Sequence, residues 1–318
     1  MSWVFLGKDR VLKLKKPVRY PFLDFGTLAR RKFFCEEELR LNRRLAAETY
    51  RSVIPLYRRS TGHLGFEPPG RIVEWLVVMR RLPEEDMLDV RIRDKRLGNG
   101  ELLEVASKLA DFYATCPSQP VAGSIYPALL VREQRMNRSI LSRAEFGLGQ
   151  AGVVELLDDV DNGLADMRQA IEARVAAGQV VEGHGDLRPE HVCLVAPPQI
   201  IDCLEFNRAM RMLEPYDEVN YLGLECSILG ADGVRTVLLD ALGRRIGNRP
   251  EEALLGLYGG FRCLLRARLC LAHLLERPVR HPEKWRPMAL AYLAIAAREC
   301  ASLRRAKAPK SIRPNAAV

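Results

Sequence analysis

The sequence has no window of about 18 uncharged apolar residues, the length that a bilayer-spanning helix needs. Even its oiliest segment, Leu254 to Glu276, carries Arg262, Arg266 and Arg268, so no membrane is expected as a partner. The start, Met1-Ser2-Trp3-Val4-Phe5-Leu6, is too short an apolar run for a secretory signal and lacks its basic flank and small-residue cleavage site. Eight cysteines are scattered with no C-x-x-C pair, which favours free buried thiols over a disulfide framework. Together these absences place the chain in the cytoplasm. A single-sign surface is missing as well. The net charge of +9 arises from 49 basic and 40 acidic residues that are interleaved, as in Glu36-Glu37-Glu38-Leu39-Arg40. Nucleic acid is therefore not expected as a partner, and the oligomeric state stays open. Only the end, from Arg304 to Arg313, is basic without acidic relief, and residues 306–318 read as a disordered, solvated tail.

What is present is enough apolar material, 48% over 318 residues, to bury one large core or two modest ones. Trp3 to Leu6 and Val11 to Leu14 flank the turn composition Gly7-Lys8-Asp9-Arg10 and predict a hairpin. From Thr27 to Ala47 the residues Phe34, Glu38, Leu41 and Leu45 recur at helical spacing, with a carboxylate in the apolar stripe. Ile54 to Arg58 and Arg71 to Met79 read as strands. After Leu82-Pro83 the character changes: Leu88 to Ala114, Leu129 to Ala177 and everything from Asp217 onward read as helical, interrupted by two short strands, Val192 to Val195 and Gln199 to Asp202. The expected fold class is α+β, with an N-terminal sheet lobe carrying one helix (1–82) and a larger, mostly helical lobe (83–305).

The stretch richest in chemistry is His184-Gly185-Asp186-Leu187-Arg188-Pro189-Glu190-His191, followed by Val192 to Val195 and Ile200-Ile201-Asp202. A loop and hairpin between Asp186 and Asp202 would bring two carboxylates together. That arrangement suits phosphoryl transfer, in which one acid orients or deprotonates an acceptor hydroxyl and the other holds a cation bridging the phosphates.

At these residues the chain resembles the aminoglycoside phosphotransferase and choline kinase families, relatives of the protein kinases, whose loop reads roughly His-Gly-Asp-Leu-His-Pro-x-Asn before a strand ending Ile-Asp. Leu-Lys-Lys-Pro at 14–17, Phe34 to Glu38 and Val77 to Pro83 extend the resemblance over most of the chain. It implies a two-lobed, protein-kinase-like fold, ATP with Mg2+ as cofactors, and a small molecule with a hydroxyl as acceptor. Asp186 resembles the catalytic aspartate, His184 the histidine that holds the loop, and Asp202 the metal-binding aspartate. Glu205 is either a second acidic ligand or a cap on the next turn. Lys13 resembles the lysine on the α- and β-phosphates and Glu38 its carboxylate partner, with Lys15 and Glu37 as alternatives. Val77 to Leu82 resembles the strand and hinge that receive adenine, with Met79 and Leu82 against the ring and the main chain around Arg80 beside it. Asp217 resembles an aspartate that stabilises the loop, or else caps a helix.

The departures matter equally. His191 stands where the family usually has a metal-binding asparagine; an imidazole suits softer ions than magnesium. The second metal site is then altered, manganese is tolerated, or His191 only hydrogen-bonds within the loop. Arg188 replaces the common histidine and either reaches a phosphate or pairs with Glu190. A glycine-rich phosphate loop is missing near Gly7. The leading expectation is an ATP-dependent small-molecule kinase. A nucleotide-binding module without turnover is the runner-up, and a metal-dependent hydrolase built on His184, Asp186, His191 and Asp202 is a third reading.

Overall fold

The computed structural model describes residues 1–119, 125–149, 152–276 and 278–307. It divides into two compact units, Met1–Gln119 with Gly178–Asn248, and Pro120–Ala177 with Arg249–Val318. The expected tail beyond 307 lies outside the described residues.

The first unit begins with the hairpin expected from the sequence, β1 (Ser2–Leu6) and β2 (Arg10–Lys15). A two-residue-strand hairpin follows, β3 (Arg19–Tyr20) with β4 (Leu23–Asp24). Helix α1 (Leu28–Ala46) starts where the Thr27 side chain accepts the Arg30 amide hydrogen, an N-cap that satisfies one of the helix's orphan donors. Then come β5 (Tyr50–Arg58), β6 (Leu64–Gly65) and β7 (Arg71–Arg80), giving an antiparallel sheet in the order β1-β2-β7-β5-β6. The β2–β7 register sets Lys13 opposite Val77 and Arg10 opposite Arg80. One face of α1 packs on β7 and β5 and buries Cys35, Glu38, Leu41, Asn42 and Leu45. Phe34, expected in that stripe, is only half-buried and leans on Phe25.

Beyond the sheet, Lys95 at φ 56° interrupts the long helix expected from Leu88, leaving α2 (Leu88–Arg93) and α3 (Asn99–Thr115). Returning to this unit, the chain forms β8 (Val181–Glu182), the hairpin β9 (Val192–Cys193) with β10 (Gln199–Ile200), and β11 (Met212–Leu213) paired to β8. That hairpin is shorter than its apolar run suggested, because Pro197 and Pro198 donate no amide and Asp202 turns out of the strand at φ 63°. Helices α7 (Pro215–Ile228) and α8 (Gly233–Ile246) complete the unit.

The second unit is helical: α4 (Ile125–Leu141), α5 (Val153–Asp166), α6 (Arg168–Ala176), α9 (Glu252–Ala272) and α10 (Pro282–Lys307). Gly256 lets α9 and α10 approach, since a Cβ there would sit 2.9 Å from the Glu299 carbonyl oxygen. The arginine-bearing face of α9, expected to be solvated, is partly structural. Arg268 is buried and donates to the Glu133 carboxylate at 2.9 Å, and the Arg266 guanidinium lies over Tyr292. No helix among the described residues is long and apolar enough to cross a membrane, and all eight cysteines are free thiols.

Candidate functional site

Every sequence-expected site residue lies in the first unit. On β2 the period-two alternation turns Lys13 and Lys15 to one face, and α1 lays Glu38 against both. The Lys13 ammonium sits 2.8 Å from Glu38 Oε1 and 2.5 Å from Asp202 Oδ1. The Lys15 ammonium donates to Glu38 Oε2 at 2.7 Å and, in a shorter contact, to Glu205. Glu38 is thus divided between two lysines, which resolves the choice of partner in favour of both. The fallback Glu37 is engaged elsewhere, by Arg40 and Arg211. Glu205 is taken up by Lys15.

These charges determine one another. Burial disfavours the Lys13 ammonium, but Glu38 and Asp202 overcome it and hold its pKa well above the ordinary lysine value. Burial likewise pushes Glu38 upward, and the fields of Lys13 and Lys15 win, leaving it lowered. Lys13 is the main reason that the Asp202 carboxyl lies far below the usual range. Glu205 is the exception: burial dominates and raises it. All three acids sit beside cations that they cannot do without.

The loop from 184 to 191 is held differently. The His184 ring is fully buried, its Nε2 lies 2.9 Å from the Ile201 carbonyl, and its Nδ1 lies 3.3 Å from the Asp186 amide. An amide can only donate, so Nδ1 is the acceptor and Nε2 carries the hydrogen. Burial lowers the His184 pKa to about 4, so the ring is neutral near pH 7. His184 therefore ties the loop to the residue preceding Asp202. The Leu204 amide completes the tie by donating to the His184 carbonyl, and Ile201 does the same to His191.

His191 stands between the two aspartates. Its Nδ1 is 2.8 Å from the Asp186 carbonyl, which makes that nitrogen the donor; in the neutral imidazole Nε2 is then the acceptor. Nε2 is 3.7 Å from Asp202 Oδ2, while Nδ1 is 3.9 Å from Asp186 Oδ2. The carboxylates of Asp186 and Asp202 thus face one imidazole. Arg188 is paired with Glu190 at 2.5 Å and lies 3.6 Å from Glu225.

Several residues escaped the sequence reading. The Glu218 carboxylate accepts the amide hydrogens of His184 at 2.9 Å and Gly185 at 2.5 Å, and the Tyr113 hydroxyl donates to it. Glu218 thus holds the loop from the same helical turn as Asp217, the residue expected to stabilise it. Asp217 is buried beside it in the first turn of α7, whose N-cap is Glu214. Gly185 needs its φ of 89°, and a Cβ there would lie 2.9 Å from those of Arg211 and Leu204. Asn42 accepts the Cys203 amide hydrogen at 2.8 Å, and the Tyr50 hydroxyl accepts that of Asp202 at 3.2 Å. Arg44 donates to the carbonyls of Glu182 and Gly183 at 2.7 and 2.8 Å. Helix α1 thereby fixes both strands that lead into the site. A signal for Asn42 existed: it lies one turn beyond Glu38 on the same stripe.

Of the residues expected near adenine, Met79 packs into the sheet–helix core with Val11, Tyr50 and Val77. The Arg80 amide donates to the Thr49 carbonyl at 2.8 Å, and Leu82 is half-buried just beyond. A cavity of about 1110 Å³ lies against Arg44, Lys108, Phe112 and Pro197, but Lys13, Asp186, His191 and Asp202 are not among its walls.

No three His, Cys, Asp or Glu side chains among the described residues are grouped to hold a metal ion. Two donors do converge, Asp202 Oδ2 and His191 Nε2, and the Asp202 side chain is 45% exposed. Asp202 fits a magnesium-type ion, which takes oxygen donors, whereas the imidazole is the poorer donor for it. The nitrogen donor fits manganese.

No family model matches the chain. Uncharacterised proteins of Mycobacterium tuberculosis and Mycobacterium bovis are 28% identical over 274 residues, 84% of this chain and 52% of theirs. The chain thus spans about half the length of the curated relatives that it matches. Among solved structures, a choline/ethanolamine kinase family protein from Mesorhizobium loti superposes with a TM-score of 0.53 at 15% identity, covering 96% of this chain and 90% of that one. A choline kinase from Streptococcus pneumoniae gives 0.53 at 13%, covering 95% and 90%.

Proposed function

This chain has the fold of the choline/ethanolamine kinases, and we propose that it is a phosphotransferase moving the γ-phosphate of ATP to a hydroxyl of a small molecule. The observation that carries the reading is the placement of the Lys13 ammonium between Glu38 and Asp202, with His191 spanning Asp202 and Asp186. A half-buried lysine shared by a helix carboxylate and a half-exposed carboxylate is poised to exchange the latter for phosphate oxygens. In this reading residues 1–82 form the nucleotide lobe and 83–305 the catalytic and acceptor lobe, and the eight free thiols suit a reducing cytoplasm.

Asp186 Oδ receives the proton of the acceptor hydroxyl as its oxygen bonds to the γ-phosphorus and the bond to the β-phosphate oxygen breaks, releasing ADP. Lys13 holds the α- and β-phosphates. His184 and Glu218 keep the Asp186 loop in register, and the main chain at Leu82, just beyond the paired amides of Arg80 and Arg81 and with Met79 behind it, receives adenine. A magnesium or manganese ion held by Asp202 and His191 would neutralise the phosphates. Arg188, paired with Glu190 and Glu225, shapes the floor beside Asp186.

The test is ADP release with ATP, magnesium or manganese, and a panel of hydroxylated metabolites and aminoglycosides. Asp186→Asn should lower kcat by about 10²- to 10⁴-fold while leaving nucleotide-induced thermal stabilisation in place. Stabilisation by nucleotide with no ADP release on any acceptor would favour a binding module instead, a reading that His191 in the usual asparagine position supports.

A further inference from the structure

Lys13 and Lys15 occupy equivalent positions on one strand face, yet their surroundings are unequal. Each takes one oxygen of Glu38. Beyond Glu38 the row of charges runs to an open end and a sealed end. At the open end Lys13 is 16% exposed and its second partner, Asp202, is 45% exposed. At the sealed end Lys15 is 0% exposed and Glu205 only 10%. The Lys15 ammonium also lies 4.9 Å from the ring of Phe25, itself buried. Arg211 donates to the Glu205 and Leu204 carbonyls at 3.3 Å, fixing the backbone that carries Glu205.

We propose that Lys15 and Glu205 are positioning residues: a permanent anchor that holds α1 and the segment after Asp202 on the sheet while Lys13 exchanges Asp202 for phosphate. The inference rests on the phosphotransferase reading and deepens it. A phosphate oxygen can reach Lys13 but not Lys15, which has no exposed surface. If Glu38 had Lys13 alone, drawing that ammonium toward phosphate would weaken the one contact that neutralises a buried carboxylate, and α1 would loosen as nucleotide bound. With Lys15 retained on Oε2 and tied to Glu205, the helix keeps its anchor through the exchange. Glu205 then acts through Lys15 and not as a metal ligand, three residues from an aspartate whose other neighbour is His191.

An acyl-phosphate derivative of ATP, which transfers its acyl group to the lysine touching the phosphates, tests this on the intact chain. Peptide mapping should find the label on Lys13 and not on Lys15. Lys15→Met leaves two buried acids short of a cation and is prone to misfold, so the informative variant is Lys15→Met with Glu205→Gln, which removes the two charges together. That protein should fold, label Lys13 about tenfold more slowly or worse, and lose kcat more than it raises the KM for ATP. Glu205→Gln alone should leave the metal concentration for half-maximal turnover within about threefold of the parent. Label on Lys15, labelling of Lys13 untouched in the double variant, or a tenfold rise in metal requirement for Glu205→Gln overturns the anchor and leaves the kinase reading standing. Absence of label on both lysines in the parent protein overturns the two together.

Discussion

On the sheet side of the site Glu38 is satisfied by two ammonium groups, whereas on the loop side Glu218 is satisfied by two main-chain amides and a phenol. Both are buried carboxylates in the same unit. Their partners differ in what they can do next. An ammonium on a flexible stem can be shared with an incoming anion; a backbone amide inside a hydrogen-bonded loop cannot. On the sheet side the Lys13 end is therefore free to exchange partners while the Lys15 end and the loop side stay fixed, the division of labour that the proposed phosphoryl transfer to a positioned hydroxyl would use.

The largest expected effect breaks the sheet side. Glu38→Ala would leave Lys15 buried and Lys13 half-buried with one fewer counter-charge and should cost about 3–5 kcal/mol of unfolding free energy, read from urea denaturation. A loss under about 1 kcal/mol would mean that the cluster is hydrated and that the contrast drawn above is false. Next comes acid. The His184 pKa is depressed from 6.5 to about 4, so the folded state favours the neutral ring. Its contribution is complete above pH 6.5 and is lost as the pH falls toward about 4. The loss should amount to about 3 kcal/mol. Asp202, depressed further, follows only at lower pH. A His184→Gln variant should flatten the slope between those limits, in stability measured against pH.

How much of this was legible in the sequence depends on whether chemistry or geometry chose the residue. Glu38 was readable because a carboxylate in an apolar helical stripe demands a cation, and β2 offered two at period two. The approach of Asp186 and Asp202 was readable from the loop and hairpin between them. The sharing of Glu38 was not, since period two puts Lys13 and Lys15 on one face without saying which end of the row is open. Glu218 was missed for a related reason. It and Asp217 are adjacent acids in one helical turn, and only the docking of α7 against the loop decides which carboxylate meets the amides of His184 and Gly185. Arg44 was illegible because its short contacts run to the main-chain carbonyls of Glu182 and Gly183, which carry no residue identity, and Arg211 because its carboxylate partners Glu37 and Glu182 lie 174 and 29 residues away along the chain.

A third prediction sharpens the loop side. Glu218→Gln keeps one acceptor oxygen but turns an amide donor toward a main-chain N–H, and should cost about 2 kcal/mol. Because that loss falls on the loop carrying Asp186, turnover should fall with it while labelling of Lys13 by the ATP derivative persists. Loss of that labelling would show the two sides to be one cooperative device.

The smallest expected effects come from a matched pair of phenols, one on each side. Tyr113→Phe removes a donor from Glu218, whose two amide contacts remain, and should cost about 1 kcal/mol of stability with little change in kcat once the protein is folded. Tyr50→Phe removes the acceptor of the Asp202 amide hydrogen, a long contact of 3.2 Å at a residue whose side chain is 45% exposed. Its cost in stability should be smaller than that of Tyr113→Phe. Its effect on the metal-dependent step should be larger, because Asp202 sits at φ 63°, a conformation an aspartate holds only while its surroundings insist on it. Urea midpoints and turnover measured on the two variants side by side should therefore rank them in opposite orders. The same rank in both measurements would show that fixed and exchangeable partners are not separated in this site as the distances imply.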